Sequence, residues 1–284
     1  MPNRRHNKQV PSFEKGGRVK KMGGGMMKRP MYKDGSLKPV DKKKNPGLSK
    51  LPTKVRNKMG FMKKGGQVKS LFPILCDFNE SAGSVKSHYF IQDLHVSSLI
   101  FKNKPKNHID IGSRIDGFIS NLATFMKVDI LDIRELDIQN QNINFVQQDL
   151  SDPNFHIKKK YSSVSCLHTL EHFGLGRYGD KIDPNGHLKG LQNILKLLDK
   201  DALFYLSFPI SNVSRVEFNA HRVFKHDEIL NWLKDLNIEN LKLLSFDYID
   251  DRSILHLNQN IYNFEKNLEF GCGIYIFKKL TSDE

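Results

Sequence analysis

The stretch Asn107-His-Ile-Asp-Ile-Gly112 is a short apolar run closed by an acid and a glycine, the pattern of a buried strand entering a tight turn. Downstream, 118–126 places Phe118, Leu122 and Phe125 at helical spacing. Val128-Asp-Ile-Leu-Asp132 is expected as a second strand, Ile143-Asn-Phe-Val146 as a third and 161–167 as a fourth. A helix should follow, its stripe made of Leu188, Leu191, Ile194, Leu195 and Leu198. A fifth strand is expected over 202–208, ended by Pro209, then a helix over 226–236 and strands over 241–248 and 273–277. Strands alternating with helices imply parallel β-α-β units and an α/β, doubly wound, mostly parallel sheet. Residues 108–284 are ample for one such domain, with 70–107 as a cap or linker.

Ahead of this lies a segment of opposite character. Of the 45 Lys and Arg in 284 residues, 21 fall in 1–69 against three Asp and Glu, while the remaining 24 face 28 acids. The segment holds 10 of the 20 Gly and repeats itself, Lys15-Gly-Gly-Arg-Val-Lys20 returning as Lys64-Gly-Gly-Gln-Val-Lys69. Its few apolar residues cannot offset the entropy of ordering, so 1–69 is expected to be disordered. It is either a solubilising linker or a tether for nucleic acid or another polyanion, with salt-dependent, sequence-blind binding. The glycine runs and only three Ser argue against a mitochondrial transit peptide. The lysine–glycine repeats resemble small basic proteins encoded by marine bacterial viruses. No stretch approaches the roughly 20 apolar residues of a membrane span. Cys76, Cys166 and Cys272 are odd in number and far apart, which suits neither a disulfide framework nor a cysteine-held zinc. A reducing cytoplasm, a host's if the chain is viral, is the expected compartment.

In a sheet of this kind ligands bind outside the carboxyl ends of the strands. Asp110 and Gly112 fall at the end of the first strand, Asp132 at the end of the second, Asp149 after the third, and Cys166 to His172 after the fourth. The 22 residues from Asp110 to Asp132 match the separation between a nucleotide-binding turn and the carboxylate that accepts both ribose hydroxyls. Asp132 is either that ligand or a solvated strand end.

The series Asp110-Ile-Gly112, Asp132, Asp149 and His168-Thr-Leu-Glu171-His172 resembles the class I Rossmann-like methyltransferases that use S-adenosylmethionine. That resemblance implies a cofactor held by Asp110, Gly112, Ser113, Arg114, Asp132, Asp149 and His168. The chain departs from the family's D-x-G-x-G-x-G loop, because Arg114 stands where the second Gly belongs. Either the loop opens differently or Arg114 grips the methionine carboxylate as a bidentate donor. The strings HIDIGSRIDGF (108–118), EHFGLGRYGDKIDP (171–184), RVEFNAHRVF (215–224) and FDYIDD (246–251) are also similar to a family catalogued as a domain of unknown function. It is known from nematodes and from bacterial gene neighbourhoods for surface polysaccharide.

Three segments carry candidate chemistry. His168-Thr-Leu-Glu171-His172 fits H-x-x-E-H, which on a helix would aim two His at one zinc with Glu171 as base. The resemblance instead makes Glu171 and His172 the start of the segment lining a methyl-acceptor pocket; the plain alternative is core histidines. The loop 174–180 offers Arg177, Tyr178 and Asp180 to a substrate, or is a lid whose charges pair with each other. In 217–222, His221 suits proton abstraction from a hydroxyl, with Asn219 and Arg222 orienting substrate, or the segment is a salt-bridged loop. A methyltransferase acting on a small-molecule or glycan acceptor, needing no metal, is therefore the expected function. The competing readings are a non-catalytic binding protein of the same fold, tethered by the tail to nucleic acid or a virion, and a zinc hydrolase.

Overall fold

The computed structural model describes residues 85–264 and 267–281, and in addition Lys43 and Lys50. The expectation of a disordered tail therefore falls almost wholly outside the described residues, as do 70–84. The unit described below is 82–284. Within the stretch expected as cap or linker, α1 (His88–Asn103) lies against one face of the sheet through Val96 and Ile100, both fully buried.

The strands are β1 (His108–Ile111), β2 (Val128–Asp132), β3 (Ile143–Gln147), β4 (Tyr161–Leu167), β5 (Leu198–Ile210), β6 (Arg215–Glu217), β7 (His221–Val223), β8 (Leu241–Ile249), β9 (Leu255–His256) and β10 (Gly271–Lys279). The helices after α1 are α2 (Ser120–Ala123), α3 (Gly186–Leu195) and α4 (Glu228–Asp235). Eight strands form one sheet in the order β3-β2-β1-β4-β5-β10-β8-β9, and β6 and β7 form a separate hairpin. The first five are parallel, while β10 is antiparallel to both β5 and β8. The strand order reverses at β1, between β2 and β4, which makes that point the switch expected to bind ligand. The doubly wound α/β architecture is as expected.

Both faces are covered, and alternation along the central strands shows why. Phe204, Leu206 and Phe208 of β5 join Tyr275 and Phe277 of β10 on the face carrying α3 and α4. Tyr205, with Ile274 and Ile276, points to the face carrying α1 and α2. Phe208 stacks on Tyr275 at 4.8 Å, and Phe224 meets Trp232 edge-on at 4.6 Å. Among the described residues no helix is long and apolar enough to cross a membrane.

Three expectations need correction. Leu198 is the first residue of β5, not the end of the helical stripe, which stops at Leu195. Pro209 lies inside β5. Its carbonyl accepts from Phe224 N–H on the side away from β10, where β4 has already ended, so its missing N–H breaks no ladder bond. The helix expected over 118–126 begins earlier, as a π-turn Ile115–Ile119 that continues into α2.

Candidate functional site

The site is built at the carboxyl edge, starting from the turn after β1. Asp110 is fully buried and accepts from Ser113 N–H (2.9 Å), Ser113 Oγ (2.8 Å) and Ser165 Oγ. Burial pushes its carboxyl up to about 7, against the pull of those hydrogen bonds. Asp110 therefore shapes the turn from within. Gly112 has φ +67°, and a Cβ there would sit 2.4 Å from Thr169 Cγ2. Glycine is required both for the left-handed backbone and for the close approach of the two strand ends.

Arg114, by contrast, points outward. Its guanidinium holds Asp116 through two bonds (3.0 and 2.7 Å) and lies 6.0 Å from the Tyr89 ring. Behind the turn, Asp93 of α1 is buried and raised to about 6 by that burial, despite hydrogen bonds from Gln92 and the Phe118 N–H. Gly117 leaves it room, since a Cβ there would come within 2.4 Å of Asp93 Oδ2.

A cleft of about 330 Å³ opens between this turn and the end of β2, with Ser113, Arg114, Asp132 and Arg134 at its polar rim. Ile115, Ile130, Leu136 and Phe145 give it apolar walls. The Asp132 carboxylate accepts from Arg134 N–H (2.8 Å), Nε (2.9 Å) and the terminal guanidinium nitrogen. The same guanidinium lies 4.6 Å over the Tyr178 ring. Arg134 was not singled out from the sequence. Its signal was an Arg two residues beyond an acid, a spacing that also pairs Arg114 with Asp116 and Arg215 with Glu217. Asp149 is half-buried in a tight turn, its Oδ1 accepting from Ser151 N–H and Oγ, both at 2.7 Å, and it does not line this cleft.

The segment 168–172 is not a helix with two aligned histidines. Leu170–His172 is a single 3₁₀ turn, and His168 sits before it with φ +48°. His168 Nδ1 lies 3.1 Å from Glu171 Oε1, both side chains almost fully buried. Burial disfavours both charges, but Cys272 and Glu171 hold the imidazolium, and His168 in turn holds Glu171 below the usual carboxylate range. Among the described residues no group of three His, Cys, Asp or Glu is arranged to hold a metal, and the face that a zinc pair would need is absent.

His172 is oriented differently. Its Nδ1 donates to Ala220 O at 2.7 Å, which leaves Nε2 as the unprotonated nitrogen of the neutral ring. Burial lowers its pKa, outweighing the attraction of Glu171, whose Oε1 is 3.8 Å away. Tyr178 meets the ring edge-on at 5.5 Å, and His221 lies 6.3 Å off. His221 is half-buried, its pKa lowered by burial, with Glu217 Oε2 at 3.2 Å. The structure thus brings Glu171, His172, Tyr178 and His221 together, with Arg134 over the Tyr178 ring.

The remaining candidates hold loops. Asp180 accepts from Gly174, Gly176 and Tyr178 N–H, which folds 174–180 around its carboxylate. Arg177 donates to Ala220 O at 2.7 Å and flanks Tyr178 at 5.2 Å. Arg222 is buried, donating to the carbonyls of Glu171, Phe173, Asp183 and Pro184, so its donors tie the loop down instead of facing outward. Asn219 is exposed at the tip of the β6–β7 hairpin, an element that the sequence reading treated as loop.

The donor set suits an adenosyl group: a carboxylate at the end of β2 and apolar walls for a flat base. Comparison with known proteins agrees on the fold. A family model described as a Caenorhabditis protein of unknown function, DUF268, matches residues 120–233, which include two of the four strings quoted above. The sequence matches no curated protein. The Burkholderia thailandensis 1,6-didemethyltoxoflavin-N1-methyltransferase, solved with 1,6-didemethyltoxoflavin and S-adenosylhomocysteine, superposes with TM-score 0.50 at 14% identity, over 68% of this chain and 80% of that one. An S-adenosylmethionine-dependent methyltransferase from Clostridium acetobutylicum gives 0.45 at 14% identity, over 69% and 93%. The N-methyltransferase NodS from Bradyrhizobium japonicum, with S-adenosylhomocysteine, gives 0.42 at 13%, over 67% and 87%. The first fixes the fold as that of the S-adenosylmethionine-dependent methyltransferases; at these identities it fixes the fold alone.

Proposed function

We propose that the chain is an S-adenosylmethionine-dependent methyltransferase acting on a hydroxyl of a small-molecule or glycan acceptor. The observation that carries this reading is the cleft between the β1 turn and Asp132, at the same carboxyl edge of the sheet where the chain holds a neutral histidine after β4. Asp132 would accept the ribose hydroxyls, and Ile115, Ile130 and Phe145 would flank the adenine. S-adenosylmethionine, when bound, supplies an intrinsically reactive methyl, so the protein's share is alignment and proton removal. His172 Nε2 takes the acceptor's proton. The Ala220 carbonyl fixes its tautomer, and the buried Glu171 carboxylate steadies the imidazolium as it forms. Arg177 and Tyr178 border the acceptor.

The test is calorimetric titration of the full chain with S-adenosylhomocysteine. Micromolar binding that Asp132→Ala abolishes supports the reading. No binding at millimolar ligand overturns it. His172→Gln should keep that affinity and lower turnover by about 10²-fold or more in an acceptor screen that starts with sugars. Binding without turnover on any acceptor would favour a non-catalytic role.

A further inference from the structure

A second cleft, of about 530 Å³, lies at the opposite edge of the sheet, at the amino ends of the parallel strands. Lys160 precedes β4, Leu198 opens β5, Leu241 opens β8, and Lys279 ends the antiparallel β10, so all four arrive at one edge. Lys196, just past the end of α3, brings a third ammonium group. Each of the three donates to a neutral oxygen: Lys160 to Lys196 O, Lys196 to Asn193 Oδ1 (2.8 Å), and Lys279 to Leu198 O (2.9 Å). Burial and the neighbouring Lys160 both depress the Lys279 pKa, and Asp199 offsets part of that. Like charges are thus gathered in a cleft with Leu195, Leu198, Ile238 and Leu241 on its walls and the amides of Gln192 and Asn240 at its rim. Nothing in the chemistry of the first site uses this arrangement.

We propose that this cleft is a binding site for a phosphate monoester with a flat or aliphatic body. A dianionic phosphoryl group would relieve the repulsion among Lys160, Lys196 and Lys279, since lysines act on phosphate as point charges. The apolar walls would take the organic part, and the amides would satisfy its polar edge. The site is independent of the methyl-transfer reading, because the sheet separates the two clefts.

The probe is 1-naphthyl phosphate, titrated calorimetrically into the full chain, with inorganic phosphate and 1-naphthol as comparisons. The expected result is saturable one-to-one binding, at least tenfold tighter than for either comparison. The double substitution Lys160→Gln/Lys279→Gln should weaken it by tenfold or more. Gln192→Trp, an exposed helix position that leaves all three lysines in place, should block it by filling the cleft. Absence of saturable binding overturns the proposal. So does an affinity unchanged by these substitutions, which would place the phosphate on the basic residues of 1–69.

Discussion

Asp110 separates a residue's conspicuousness in the sequence from its task. Its place at the end of the first strand marked it for the ligand, yet the side chain faces inward and organises the turn through Ser113 and Ser165. What the sequence could not show was the direction of the carboxylate, which depends on a serine 55 positions away. Because the folded state lifts this carboxyl from 3.8 to about 7, it binds protons that the unfolded chain has released. Its contribution is fully present below about pH 4 and is lost as pH rises to about 7. Asp110→Asn should therefore flatten the fall in melting temperature between pH 4 and 7; identical slopes in the two proteins would refute this. Asp132, by contrast, lines a cleft, and the Arg134 that holds it became visible only in three dimensions.

At the level of elements, the short apolar runs alternating with helical stripes were enough to locate the principal strands and a mostly parallel sheet. Errors arose where a long-range partner overrode a local signal. Pro209 should end a strand, but Phe224 meets its carbonyl and β10 pairs through it. The hairpin β6–β7 was hidden because its three-residue strands are exposed or mixed and show no apolar face. It nevertheless delivers Arg222, whose guanidinium gathers four carbonyls from 171–184. Lysine cannot reproduce that planar fork. Arg222→Lys should cost about 2–3 kcal/mol of stability, since buried carbonyls lose their donors. It should also expose 173–184 to limited proteolysis before the rest of the body is cut. Cleavage kinetics matching the parent protein would show that the loop holds its shape without the clamp.

Across the whole molecule, charge is divided along the chain: 21 of the 45 Lys and Arg precede residue 70, and the acids outnumber the bases after it. Binding of the full chain to mixed-sequence DNA should weaken steeply and linearly in logarithmic salt concentration, and removal of 1–69 should abolish it. Retained, salt-insensitive binding would assign DNA contact to the body instead. The body carries a different kind of internal competition. Arg134 occupies the Asp132 carboxylate and rests on Tyr178. On the proposed function, a ribose arriving at that carboxylate would enter an exchange reaction with a tethered rival, so observed affinity would equal intrinsic affinity scaled by the fraction of time the guanidinium is away. Arg134→Ala should consequently bind S-adenosylhomocysteine several-fold more tightly than the parent. The gain should come through faster association, because eviction precedes entry, and Tyr178 loses its partner each time the rival leaves.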